Sequence, residues 1–120
     1  QPKQTTMRLS DVNQEYKEVE FYFTSQIDTK YEDIQNSDLI EDEEYKSSLL
    51  EELNQMDSIY VNLQKDLGEN PGDERIIQAM IRHYQTKLKI MSGILTRLQE
   101  MQETNTSQII NQDQHESIQL

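Results

Sequence analysis

The stretch from Asn70 to Met101 constrains this chain more than any other, because a helix-start signal there is followed by an apolar repeat that barely breaks. Asn70 is suited to cap a helix, Pro71 fits the first helical position, and Asp73 favours the first turn. Ile77, Ile81, Tyr84, Leu88, Met91, Leu95 and Leu98 then recur at alternating steps of four and three, the seam of a helix packed lengthwise on other helices. A second apolar row, Ile76, Met80, Ile90, Ile94 and Met101, widens the buried face beyond what one partner needs. This helix is therefore expected to touch two others.

Two further stripes supply those partners. Val12, Tyr16, Val19, Phe23, Ile27, Tyr31 and Ile34 are spaced by threes and fours, which predicts a first helix from Ser10 or Asp11 to about Gln35, with Glu15, Glu18 and Asp28 off its apolar face. Tyr45, Leu49, Leu53, Met56, Tyr60, Leu63 and Leu67 predict a second helix that starts near Asp38 or Asp42. Gly68 follows and is expected to take the left-handed conformation just past a helix C-terminus. The connection to Asn70-Pro71 is then so short that the second and third helices must be antiparallel neighbours. The expected fold is all-α, an elongated up-down-up three-helix bundle with coiled-coil-like packing over residues 10–104. Residues 1–9 read as a polar linker. Residues 105–120 read as a polar tail with only Ile109, Ile110, Ile118 and Leu120 to bury, disordered unless the bundle or a neighbour orders it.

Charge sorts the possible partners. The 120 residues carry a net charge of −12, which excludes a phosphate-neutralising nucleic-acid binder and disfavours anionic membrane surfaces. The imbalance is uneven: residues 11–74 hold 19 acidic and 4 basic side chains, whereas residues 75–104 hold 5 basic and 2 acidic ones. A mildly basic third helix beside two acidic ones lowers self-repulsion. No cysteine is present, so disulfides, thiolate metal sites and cysteine nucleophiles are excluded. No apolar run is long enough to span a bilayer. The chain opens on Gln1 rather than methionine, and a processed piece of a longer protein, with its signal peptide or membrane anchor upstream, is expected.

Candidate sites are few. The acidic run Glu41, Asp42, Glu43 and Glu44 lacks the ligand alternation and glycine of a calcium loop, and it falls where a helix N-terminus favours carboxylates. His83 has Met80, Ala79, Thr86 and Lys87 at the positions where metal-ligand companions would stand, so it reads as a solvated or snorkelling side chain. His115 and the Asn105-Thr106-Ser107 glycosylation triplet lie in the tail and carry no weight. No serine, histidine and acid constellation can be assembled on such short loops. Neither a catalytic site nor a cofactor nor a metal is expected. Most tyrosines fall on the seams, as core-edge residues with hydroxyls at the surface. Phe21 points nearly opposite the stripe of the first helix and Tyr22 lies well to its side, so this pair marks a protein contact surface.

Several segments together resemble a known family. They are Met7-Arg8-Leu9-Ser10-Asp11-Val12, then Glu18 to Tyr22 ahead of Ile27, and Lys65-Asp66-Leu67-Gly68-Glu69-Asn70-Pro71 leading into Arg75-Ile76-Ile77-Gln78-Ala79-Met80-Ile81 and Leu88. Over roughly residues 7–102 the chain is similar to the extracytoplasmic helical domain of membrane-anchored, anti-sigma-factor-like proteins of Gram-negative bacteria. The resemblance implies a periplasmic location, a membrane helix upstream of Gln1, and a cytoplasmic part beyond it that handles the sigma factor. The expected function is a non-enzymatic periplasmic sensor or protein-interaction module that binds a protein partner or a second copy of itself, as in a homodimer. The alternative is an extracytoplasmic metal- or stress-responsive helical binding protein using its acidic surface, and an enzyme is a third class.

Overall fold

The polar groups that precede the first helix are paired before it begins. In the computed structural model, which describes the backbone of residues 6–119 and the side chains of residues 6–104, the Met7 N–H donates to the Gln64 carbonyl at 2.9 Å. A single 3₁₀ turn, Leu9–Asp11, follows, and the Asp11 carboxylate accepts the Arg8 N–H at 2.8 Å. Leu9 is fully buried, so the segment expected as a linker is in part a plug against the body. The helix start expected at Ser10 or Asp11 is shifted by this turn. Helix α1, Gln14–Gln35, is capped instead by Asn13, whose Oδ1 accepts the Tyr16 N–H at 2.8 Å. Neither proline nor glycine ends α1; Asn36 closes it, its N–H on the Glu32 carbonyl at 2.9 Å.

The stretch expected as one second helix is two. Helix α2 spans Glu43–Gln55 and helix α3 spans Asp57–Glu69. At the break the Ile59 N–H bonds back only three residues, to the Met56 carbonyl, and the Ser58 hydroxyl takes the Gln55 carbonyl. Met56 keeps helical angles, φ −62° and ψ −24°, so the turn is tightened rather than reversed. A local serine hydroxyl competing for a backbone carbonyl is the physical reason.

The α3 to α4 connection corrects the glycine assignment. Gly68 lies inside α3, and the chain's positive-φ glycine is Gly72, at 87°. Asn70, Pro71, Gly72 and Asp73 form a turn closed by the Asp73 N–H on the Asn70 carbonyl at 3.1 Å, with proline second and the positive-φ glycine third, the pattern of a type II turn. Pro71 therefore belongs to the turn and not to the first helical position. Asp73, not Asn70, caps the next helix: its Oδ1 accepts the Arg75 N–H at 3.0 Å and its carbonyl accepts from Ile76 and Ile77.

Helix α4 runs Glu74–Gln119, 46 residues, or about 69 Å at ~1.5 Å per residue. The tail expected to be disordered is the backbone continuation of this helix. No glycine or proline follows Gly93 to stop it. The side chains of residues 105–120, His115 and the glycosylation triplet among them, lie outside the described residues, as does the structure of residues 1–5.

Among the described residues every regular element is a helix and none is a strand, and α1 and α3 both pack on α4. The long dimension is 83 Å against 29 and 19 Å across. The interior is built from Ile27 and Ile34 of α1, Leu50 and Leu53 of α2, Leu67 of α3, and Ile77, Met80, Tyr84, Met91, Ile94 and Leu98 of α4. Tyr45, Ile90 and Met101, expected on buried rows, are instead exposed. On α4 the inward positions between Met80 and Met91 are taken by Tyr84 together with the polar His83 and Lys87, while Ile90 faces outward. Among the described residues no helix is long and apolar enough to cross a membrane.

Candidate functional site

Where α1, α3 and α4 meet, a carboxylate gathers three donors. Glu20 of α1 stands one position from the apolar stripe, beside Val19, and its side chain reaches inward. Its Oε2 accepts the Tyr60 hydroxyl of α3 at 2.5 Å and the Tyr84 hydroxyl of α4 at 3.0 Å. Its Oε1 accepts the Ser10 N–H from the 3₁₀ turn at 3.3 Å. One side chain thus ties the entry segment and three helices together. The rings close around it: Tyr60 and Tyr84 have centroids 4.9 Å apart, and Phe23 stacks on Tyr84 at 5.8 Å with 9° between planes. The hydroxyls expected at the surface are therefore internal donors. Burial first, and the contacts with Glu20 after it, push both phenols well above their ordinary value of 10.0, a contact from the Tyr60 hydroxyl partly offsetting the rise at Tyr84, so both keep their protons and can donate to the carboxylate.

A second polar cluster adjoins it. His83 is only 8% exposed, its ring 5.6 Å from that of Tyr60, which overturns the expectation of a solvated side chain. Four residues on, Lys87 is also 8% exposed, and its Nζ pairs with Asp57 Oδ1 of α3 at 2.6 Å. Burial, and next the Lys87 ammonium, push the His83 pKa below 6.5, so the imidazole is neutral in the folded protein near pH 7. The paired Lys87 binds α3 to α4 just past the Met56 break, and that is its evident role.

The sequence-predicted surface residues stand where expected. Phe21 is 73% exposed and Tyr22 58% exposed. Tyr22 rests edge-on against Phe23 at 5.4 Å, which holds its ring while leaving most of it in solvent. Phe21 forms one wall of a shallow groove of about 380 Å³ whose floor holds Glu20, Tyr60 and Tyr84, with Arg8 and Lys17 also lining it. The exposed aromatic and the buried tyrosine cluster are thus two sides of one feature.

The acidic run does capping work: Asp42 Oδ1 accepts the Glu44 N–H at 3.0 Å and the Tyr45 N–H at 3.2 Å. Among the described residues no group of three or more His, Cys, Asp or Glu side chains converges to hold a metal ion. His83 and Lys87 were missed by the apolar pattern because a polar residue on a buried row breaks the pattern that finds the row, and Glu20, beside the stripe of α1, reads as a surface acid. The steps Met80, His83, Lys87, Met91, Ile94 and Leu98 follow the same alternation of three and four, and that spacing was the available signal. No known family model, curated protein or solved structure matches this chain.

Proposed function

We propose that the chain is a non-enzymatic protein-interaction module, an up-down-up three-helix bundle with coiled-coil-like packing that presents the outer face of α1 to a protein partner or a second copy of itself. The observation that carries the reading is the exposure of Phe21 and Tyr22 on a helix whose opposite face already fills the interior with Phe23, Ile27 and Ile34. The nearby polar side chains support it, because Glu20, Tyr60 and Tyr84 are committed to one another across the helices and serve to hold α1 in place.

The resemblance to anti-sigma-factor-like proteins supports a more specific proposal. The module would be the periplasmic sensor part of an inner-membrane-anchored anti-sigma factor, with the sigma factor reached through segments upstream of residue 1. The competing metal-responsive reading draws little support from the acidic run, since Asp42 Oδ1 already accepts two backbone N–H groups.

The test replaces Phe21 and Tyr22 together with serine. Helicity and melting temperature are expected to match the parent, while self-association by sedimentation velocity, or binding to a purified candidate partner, weakens. A collapse of stability would place the pair in the core and remove the proposal.

A further inference from the structure

A second surface lies far along the molecule from Phe21, at the junction of α2 with the later turns of α4. An open groove of about 340 Å³ runs there, floored by Leu49, Ile94 and Leu98. Tyr45, 60% exposed, and Met101, 49% exposed, stand at its rim. These are two of the three residues that the apolar pattern assigned to the interior and the structure leaves in solvent. The groove does not stop at Met101: a further hollow lined by Arg97, Met101 and Thr104 continues it along the same helix. From Ile94 to Thr104 the path covers about 15 Å of helix, roughly three turns, which matches anchors spaced i, i+3 or i+4, and i+7 on an opposing helix.

Charge decides the occupant. One lip of the groove is formed by Glu41 and Asp42, and the exposed Glu43 and Glu44 follow directly. A second hollow on the other side of Leu39 is edged by Asp33 and Asp38. Arg97 is the one basic residue lining the main groove. An apolar channel edged mostly by carboxylates accepts a helix with an apolar stripe and flanking Lys or Arg, and rejects the acidic equivalent. The last turns of α4 in a second copy are a poor match, since residues 105–119 contain Asp113 and Glu116 and no Lys or Arg.

We infer that the groove between α2 and α4 is a docking site for a cationic amphipathic helix of another protein, with Tyr45 and Met101 gripping its apolar stripe and Glu41 to Glu44 pairing with its basic flank. The site is separate from the Phe21 and Tyr22 surface and stands or falls independently of it.

The test uses the full chain and a labelled amphipathic helical peptide of leucine and lysine, roughly 18 residues long, with a leucine and glutamate peptide of the same apolar pattern as the counter-probe. Fluorescence anisotropy at low and physiological salt reads the binding. The lysine peptide is expected to bind and the glutamate peptide to fail. Tyr45→Ser with Met101→Ser is expected to weaken binding at least about tenfold, and both side chains are exposed enough for the fold to survive, which circular dichroism checks. Glu41→Gln, Asp42→Asn, Glu43→Gln and Glu44→Gln together, which keep a capping side chain at position 42, are expected to weaken binding and flatten its salt dependence. Phe21→Ser with Tyr22→Ser is expected to leave it unchanged. Parent-like binding by the Tyr45 and Met101 variant would mean diffuse attraction to an acidic surface and overturn the inference. So would equal binding of both peptides, or a dimer in sedimentation velocity that is lost in that same variant.

Discussion

Replacing Glu20 with alanine removes the acceptor of three donors at once and is expected to be the most damaging polar substitution in the protein. Hydrogen bonds to a charged acceptor contribute about 1.5–3 kcal/mol each, and the partial exposure of this site together with the weak 3.3 Å contact to Ser10 lowers the sum. The expected loss for Glu20→Ala is about 2–4 kcal/mol, which for a chain of this size moves the melting temperature down by about 8–16 °C. Glu20→Gln separates charge from shape. Its carbonyl oxygen can still accept both tyrosine hydroxyls, but its amide then faces the Ser10 N–H, donor against donor, and about half the loss is expected. Thermal and urea unfolding followed by circular dichroism measure both. A double-mutant cycle with Tyr60→Phe should return a coupling of about 1 kcal/mol or more. Alkaline titration gives an independent check: both phenols hold their protons more tightly when folded, so their contribution is full below pH 10.0 and is lost as pH rises through the higher folded values. A Glu20→Ala variant that melts within about 2 °C of the parent would refute the idea that this carboxylate ties the helices together.

Two further predictions follow from glycine and histidine. Gly72→Ala should cost about 1 kcal/mol although the space around it is open, because its φ of 87° is strained for any residue with a Cβ, whereas Gly93→Ala, inside α4 with nothing near its added methyl, should gain about 0.5–1 kcal/mol; chemical denaturation of the two variants reads the opposite signs. His83 is held below 6.5 by burial and by Lys87, so the unfolded chain takes up its proton first; the contribution of the neutral ring is complete above pH 6.5 and declines as pH falls below it. The melting temperature of the parent should therefore drop more between about pH 8 and pH 5 than that of His83→Gln, and equal slopes would refute the assignment.

Periodicity located the helical stretches up to residue 104, because burying one face of a helix forces apolar residues to recur at three and four, but it showed neither the break at Met56 nor the continuation of α4 beyond residue 104. It placed Ile27 and Ile34, Leu53 and Leu67, and Ile77, Met91 and Leu98 on inward faces, and all are buried. The exposed Phe21 and Tyr22 were legible for the complementary reason: an aromatic residue off a complete stripe has no interior left to enter. The acidic run at residues 41–44 was equally legible, since a helix N-terminus offers unpaired N–H groups to carboxylates, and Asp42 takes two of them.

What the sequence did not contain is which polar residues go inside. Glu20, His83 and Lys87 look like surface residues one at a time, and Glu20 is drawn partly inward and His83 and Lys87 fully so only because a partner arrives from another helix: two tyrosine hydroxyls, an aromatic ring, an Asp57 carboxylate. Local detail escaped in the same way. Gly68 was expected at positive φ, yet α3 runs through it and Gly72 takes that conformation, because the turn is closed by the bond from Asp73 to Asn70. Tyr45 and Met101 fit their stripes as well as any buried residue, yet they sit where α2 and α4 part. Local propensity and pattern determine where helices form, but burial is a property of two surfaces, and the second surface exists only once the chain has folded.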